Sequence, residues 1–158
     1  MARTIDRFST MVDGVWTHSV LSNGYIEPDG SFVEAEYQAA KAVDEAERLR
    51  ILSAKTPFGP GGAKRMGRET RMRDDFEEMK FQIMSELVWR KFYEHRALRD
   101  ELLATGDAYL IEGNVWHDNV WGSCICGRPR CLGEGQNWLG NILMTTRAGM
   151  AYLRAMSR

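Results

Sequence analysis

Apolar residues recur with a helical period through much of this chain. Between Asp74 and about His95, Phe76, Met79, Ile83, Leu87 and Val88 mark one side of a 3.6-residue repeat, with Asp74 placed as the N-cap of a long helix. From Val33 to about Ala54, Ala, Glu, Lys and Leu predict a second helix. "RALRDELLATG" reads as a short helix ending before Gly106. "NWLGNILMTTRAGMAYLRAM" reads as a terminal helix, apolar at Leu139, Ile142, Leu143 and Leu153. Strand signals are fewer. "AYLIEGN" fits a short strand, and Pro28-Asp29-Gly30 between two short apolar pieces predicts a turn and hairpin. Pro57, Pro60 and the glycines of "TPFGPGGAKRMGRETRMR" interrupt the helical pattern. The expectation is a predominantly helical α+β fold with long loops.

The 158 residues suit one domain, taken as residues 1–158, with a real hydrophobic core. A net charge of -1 gives no global basic footprint for nucleic acid, though it leaves room for local patches. No apolar run approaches the ~20 residues of a membrane span, so no membrane partner is expected. "MARTIDRFST" lacks the apolar segment of a secretory signal, and three cysteines do not suit a secreted disulfide framework. These features predict a cytoplasmic protein with reduced thiols.

Four stretches carry candidate chemistry. Glu34, Gln38 and Lys41 at i, i+4 and i+7 share one helix face, which suits either a pocket lining or a solvated polar stripe. Lys64, Arg65, Arg68, Arg71 and Arg73 crowd a glycine-containing segment, which suits phosphate oxygens or plain solvent. Asp118 and Trp121, followed by Gly122, offer a hydrogen bond and an indole face to a base or sugar; packing of Trp121 in the fold is the commoner use of such a pair. Cys124, Cys126 and Cys131, with His117 seven residues before the first, supply a complete tetrahedral set for Zn²⁺ in a spacing unlike a standard finger. Three unligated thiols on a loop is the alternative. The zinc deaminase pairing of H-x-E with P-C-x-x-C is absent. A zinc here would be structural, since four protein ligands leave no open position.

Taken in order, "LSNG", "VEAEYQAAKA", "AKRMGR", "FEEMKFQIM", "RKFYEHRALRDELLATGDAYLIE", "HDNVWG" and "GEGQNWLGNILMTTR" resemble the YbiA-like, or NADAR, family of N-glycosidases over nearly the whole chain. The family helix usually reads like S-E-H-Y-F-Q-A-Q-K. Glu34, Gln38 and Lys41 fall on its Glu, Gln and Lys, while Ala35 replaces the His and Ala40 the second Gln. Phe76 stands where some members carry an active-site Trp. The cysteine insertion between "WG" and "GEGQN" is absent from the simplest members.

The resemblance implies a YbiA-like fold and cleavage of an N-glycosidic bond in an ADP-ribose or ribose-phosphate adduct, with no cofactor required. Glu34, Lys41 and Asp118 are the implied catalytic residues. A carboxylate would stabilise charge at the anomeric carbon or activate water. Alternatively, the Lys41 amine would attack the opened sugar and form a Schiff base. Arg65 and Arg68 would hold phosphate, and Trp121 or Phe76 would stack on a base. Gln38, Asn23 and Asn137 would hydrogen-bond the substrate, and Gly122 and Gly135 would allow close backbone approach. The preferred substrate is ADP-ribosyl-guanine in DNA, because these 158 residues carry no fused riboflavin-pathway domain and the basic segment suits a nucleic-acid backbone. The alternatives are a riboflavin-pathway ribosylamino-pyrimidine phosphate, a non-catalytic binder of ADP-ribose or NAD derivatives, and a zinc-stabilised interaction module.

Overall fold

The computed structural model describes residues 3–12 and 15–157, with side chains described outside 10–16. Its helices are α1 (Val33–Ala39), α2 (Glu45–Leu52), α3 (Ala63–Glu69), α4 (Phe76–Glu94), α5 (Arg96–Ala104) and α6 (Trp138–Met156). Its strands are short: β1 (Thr4–Ile5), β2 (Ser9–Val12), β3 (Val15–His18), β4 (Tyr109–Leu110), β5 (Gly113–Asn114) and β6 (Ser123–Cys124). β1 pairs with β4 and β5 with β6 in parallel, while β2 and β3 form an antiparallel pair. The fold is therefore helix-rich α+β. No helix among the described residues is long and apolar enough to cross a membrane.

The chain forms two compact units, residues 23–91 and residues 1–22 with 92–158. In the first, Phe32, Ala35, Ala39, Ile51, Ala54 and Ala63 build a small core from α1, α2 and the start of α3. These side chains are mostly alanines, so the helices approach closely. The expected continuous helix from Val33 to Ala54 is instead two helices. After Ala40 the chain turns, and residues 41–43 pair with 71–73. The Arg73 N–H donates to the Lys41 carbonyl (2.8 Å), Val43 N–H to Arg71 (3.3 Å), and Ala42 bridges Met72. Asp44 then caps α2 by accepting the Glu47 N–H. Tertiary pairing plus a good cap overrides helical periodicity here.

Helix α3 lies inside the segment read from sequence as a breaker. Pro57 and Pro60 stay in the loop before it. The carbonyls of Thr56 and Pro57 accept the Ala63 and Lys64 N–H groups, satisfying two donors that a helix start leaves open. Gly67 is central to α3 because a Cβ there would collide with the Gln38 side chain. Pro28-Asp29-Gly30 forms its turn, with Gly30 at φ 87° and Asp29 accepting the Ser31 N–H, but no strands flank it. Helix α4 begins at Phe76, so Asp75 rather than Asp74 precedes it, and Asp75 pairs with Arg73. Near the other end of α4, Arg90 binds the buried Glu27 carboxylate and Glu36. Lys91, only 1% exposed, rests 5.2 Å from the Tyr25 ring. Burial pushes its amine down to about 7 against the opposing pull of Glu27.

In the second unit α6 packs on α5 and β4. Leu139, Ile142, Leu143, Thr146 and Met150 form its buried stripe. Leu153, which continues the apolar pattern read from the sequence, is exposed because the buried stripe ends a turn earlier. Arg147 ties α6 to the end of α5 by donating to Thr105 Oγ1 (2.7 Å) and the Ala108 carbonyl (2.9 Å).

Candidate active site

The first unit gathers most of the candidates around α1. Glu34 sits in the first turn, and its backbone N–H donates to the Asn23 carbonyl (3.0 Å). Its side chain is buried, and Oε1 accepts a hydrogen bond from Gln38 Nε2 (2.8 Å). Gln38 is also buried; its Oε1 lies against Gly67 and has no hydrogen-bond partner among the described residues. Gln38 thus braces the Glu34 carboxyl. The Asn23 amide likewise turns inward, with Nδ2 3.4 Å from Met84 Sδ.

Lys41 falls just beyond α1, in the turn that replaces the expected longer helix. It nonetheless lies close enough to Glu34 for each charge to act on the other. Its ammonium rests 5.5 Å from the ring centres of both Tyr37 and Phe76. Those rings meet edge to face at 5.3 Å. Phe76 is 1% exposed, so it packs beneath Lys41 instead of offering a face to a base.

Two opposed shifts follow. Burial raises the Glu34 carboxyl above the ordinary range, against the pull of Lys64, the Gln38 hydrogen bond, Lys41 and Arg68. Burial lowers the Lys41 amine, opposed by Glu34 and reinforced by Lys64 and Arg68. A carboxyl inclined to keep its proton thus neighbours an amine inclined to lose one. Such a pair can supply an acid and a nucleophile side by side.

The basic segment divides. Lys64 and Arg68, one helical turn apart on α3, bring their charges to bear on Glu34. Arg65 points elsewhere and pairs with Glu69 (3.0 Å), both well exposed. Arg71 and Arg73 line an open depression of about 480 Å³ with Asp74 and Asp75, whose carboxylates offset their charge. Tyr37 is the member of this site that the sequence reading did not single out, and Lys64 was read only as part of the basic segment. The i, i+4 spacing of Lys64 to Arg68, and of Tyr37 to Lys41, was the available signal.

In the second unit, Asp118 and Trp121 lie in the loop between β5 and β6. Asp118 Oδ1 accepts the N–H groups of Val120 (3.0 Å) and Trp121 (2.9 Å). Asn114 grips the Asp118 backbone by donating to its carbonyl (2.6 Å) and accepting its N–H (3.1 Å). Asp118 therefore shapes the loop that carries the half-buried Trp121. Asn137 is buried at φ 52°, with Nδ2 donating to the Leu110 carbonyl (2.8 Å) and Oδ1 accepting the Glu112 N–H (3.0 Å). Both ends of its amide are engaged by backbone. At Gly122 a Cβ would strike the Glu112 carbonyl, and its own carbonyl accepts the Asn137 N–H (3.2 Å). Gly135 packs against Gly122 and Ser123 in the same manner. The close backbone approach is real, but it is between chain segments.

His117, Cys124, Cys126 and Cys131 converge. Their ligand atoms all lie within 4.8 Å of one another, and the cysteines form no disulfide. The cluster has a donor set able to hold a metal ion.

Comparison with known proteins places this helix-rich α+β chain in a family of N-glycosidases. The NADAR domain family model matches residues 14–151. An N-glycosidase of Nostoc punctiforme is 37% identical over 127 residues, covering 79% of this chain and 77% of that protein. The N-glycosidase YbiA of Escherichia coli is 34% identical over 156 residues, covering 96% and 91%. The NMR structure of E. coli YbiA superposes with a TM-score of 0.75 at 33% identity, covering 98% of this chain and 89% of that one. The riboflavin biosynthesis protein PYRR of Zea mays is 30% identical over 125 residues, covering 79% of this chain but 17% of that protein. The chain belongs to the NADAR family. It is a hydrolase acting on N-glycosyl bonds.

Proposed function

We propose that the chain removes ADP-ribose from the amino group of guanine in DNA, with Lys41 as nucleophile and Glu34 as proton donor. The observation that carries this reading is the pairing of a burial-lowered amine with a burial-raised carboxyl beside the cations Lys64 and Arg68. In the opened sugar, C1 is joined to the base nitrogen as an imine. The neutral Lys41 amine adds to that carbon. The base nitrogen takes one proton from the added Lys41 nitrogen and a second from Glu34 and departs as the free amine, leaving a protonated lysine imine at C1. Water then adds, and the sugar leaves as the aldehyde while Lys41 recovers its amine and Glu34 its proton. No cofactor is called on. Lys64 and Arg68 suit the diphosphate of ADP-ribose.

A second reading rests on the PYRR relative: a ribosylamino-pyrimidine phosphate also joins an amine to a phosphorylated ribose, and the same acid and amine would serve. Incubation with each substrate, following base or amine release by mass spectrometry, separates the two. Release of unmodified guanine in DNA from the ADP-ribosylated strand at a much higher kcat/KM supports the first reading. Release only from the pyrimidine phosphate overturns it.

A further inference from the structure

We propose that His117, Cys124, Cys126 and Cys131 form a closed, tetrahedral Zn²⁺ site whose work is to hold the loop segments 114–121 and 125–135 in place.

The geometry around one atom carries the argument. His117 Nδ1 lies 3.3 Å from Cys131 Sγ, 3.4 Å from Cys126 Sγ and 3.7 Å from Cys124 Sγ. A ring nitrogen offers a single in-plane position, either one lone pair or one N–H. It cannot hydrogen-bond three sulfurs from three directions. Ligands on a common centre do arrange themselves so. With Zn–S of about 2.3 Å and Zn–N of about 2.0–2.1 Å at tetrahedral angles, each nitrogen-to-sulfur edge is about 3.5 Å. The three observed edges bracket that value. Three thiolates and one imidazole complete the shell, so the ion would have no open position and no part in hydrolysis.

The burial pattern explains why the loop needs it. Ile125 and Leu132 are exposed, Leu132 by 73%, and Arg128, Pro129 and Arg130 also face solvent. Between residues 125 and 134 the one buried side chain is Cys131, at the end of a single 3-10 turn (Pro129–Cys131). A segment whose one buried side chain is a thiol cannot offset its ordering entropy by packing. His117 adds a second sign. It holds φ 70°, a left-handed conformation unfavourable for a residue with a Cβ, and so needs an external constraint. That conformation aims Nδ1 at the sulfurs. It also fixes the peptide entering Asp118, whose carboxylate caps the Val120 and Trp121 amides.

The test reads metal rather than activity. The full chain is purified without chelator, its zinc counted by mass spectrometry, and the stripped protein titrated with Co²⁺. The account predicts about one Zn²⁺ per chain, and one Co²⁺ giving the intense visible bands of a tetrahedral ion plus the ultraviolet charge-transfer band of thiolate ligation. Cys126→Ser should weaken Co²⁺ affinity at least tenfold. Should that variant not fold, stripped wild-type protein decides alone: hydrogen exchange across 114–135 should quicken on stripping and slow again on adding zinc, while the middle of α5 is unchanged. Weak, octahedral Co²⁺ spectra, or three thiols that react freely and equally with and without added zinc, would overturn the site. Stoichiometric binding with exchange across 114–135 unaltered would overturn its bracing role.

Discussion

On α1, Glu34 is buried with one side-chain hydrogen bond, and just beyond the helix the Lys41 side chain rests on two rings with no hydrogen bond of its own among the described residues. In the loop around residue 118, by contrast, the polar atoms are matched one to another: Asn114 to the Asp118 backbone, Asp118 to two amides, Asn119 to the Cys124 N–H, Asn137 to Leu110 and Glu112. The first region holds charge-bearing groups in surroundings that penalise their charge. The second spends its polar groups on holding the chain's shape. Buried polarity left under-matched is costly, so it persists where chemistry needs it; matched polarity marks architecture.

The contrast can be broken most sharply at Glu34. Glu34→Gln should lower turnover about 100-fold, the scale of a lost general acid, yet leave the melting temperature equal or higher. The sign follows from the raised carboxyl. The unfolded chain gives up this proton first, so stability attributable to Glu34 is fully present below the ordinary glutamate range and is lost as pH rises from there through the raised folded value. At neutral pH its removal therefore costs nothing or helps. The wild-type kcat/KM should show a bell against pH. Residual activity of Glu34→Gln should only rise with pH, because neutral Lys41 is then the sole titrating requirement. A variant that unfolds, or one that keeps the bell, would place Glu34 with the architecture.

Asn137→Ala should do the reverse. It leaves the Leu110 carbonyl and Glu112 N–H without their side-chain partner and puts alanine at positive φ. A loss of about 2 kcal/mol is expected, read by denaturant titration, with kcat of the folded fraction within about twofold of wild type. A tenfold fall in kcat at unchanged stability would restore Asn137 to the substrate.

The smallest effect separates neighbours in the basic segment. Arg68→Ala should raise KM about tenfold with little change in kcat, as for uniform phosphate binding. Arg65→Ala, which loses only an exposed pair with Glu69, should shift KM less than twofold. Equal responses would mark both as solvated surface.

Much of this was legible in the chain. The α4, α5 and α6 helices follow their apolar periods because packing and period agree there. Glu34, Gln38 and Lys41 were visible as a spaced triplet. What the spacing could not carry is that Lys41 leaves the helix: the 41–43 pairing with 71–73 is made between segments about 30 residues apart, beyond any local rule. Helix α3 was hidden because Gly67 and the two prolines read as breakers, whereas Gly67 exists to admit Gln38. Asn137 looked like a polar ligand because its two backbone partners lie more than 20 residues away in sequence. Burial also decided Phe76, whose identity as an aromatic residue says nothing of which face is covered.

The most direct test of the account is reductive trapping at Lys41. Borohydride is added during turnover of ADP-ribosylated guanine DNA, and the digested protein is mapped by mass spectrometry. The account predicts a sugar adduct on Lys41, stoichiometric with lost activity, and no adduct in an inactive, folded Lys41→Arg variant, which keeps the charge but cannot form an imine. Repeated absence of any adduct from a turning-over enzyme, with Lys41→Arg retaining activity, would contradict it.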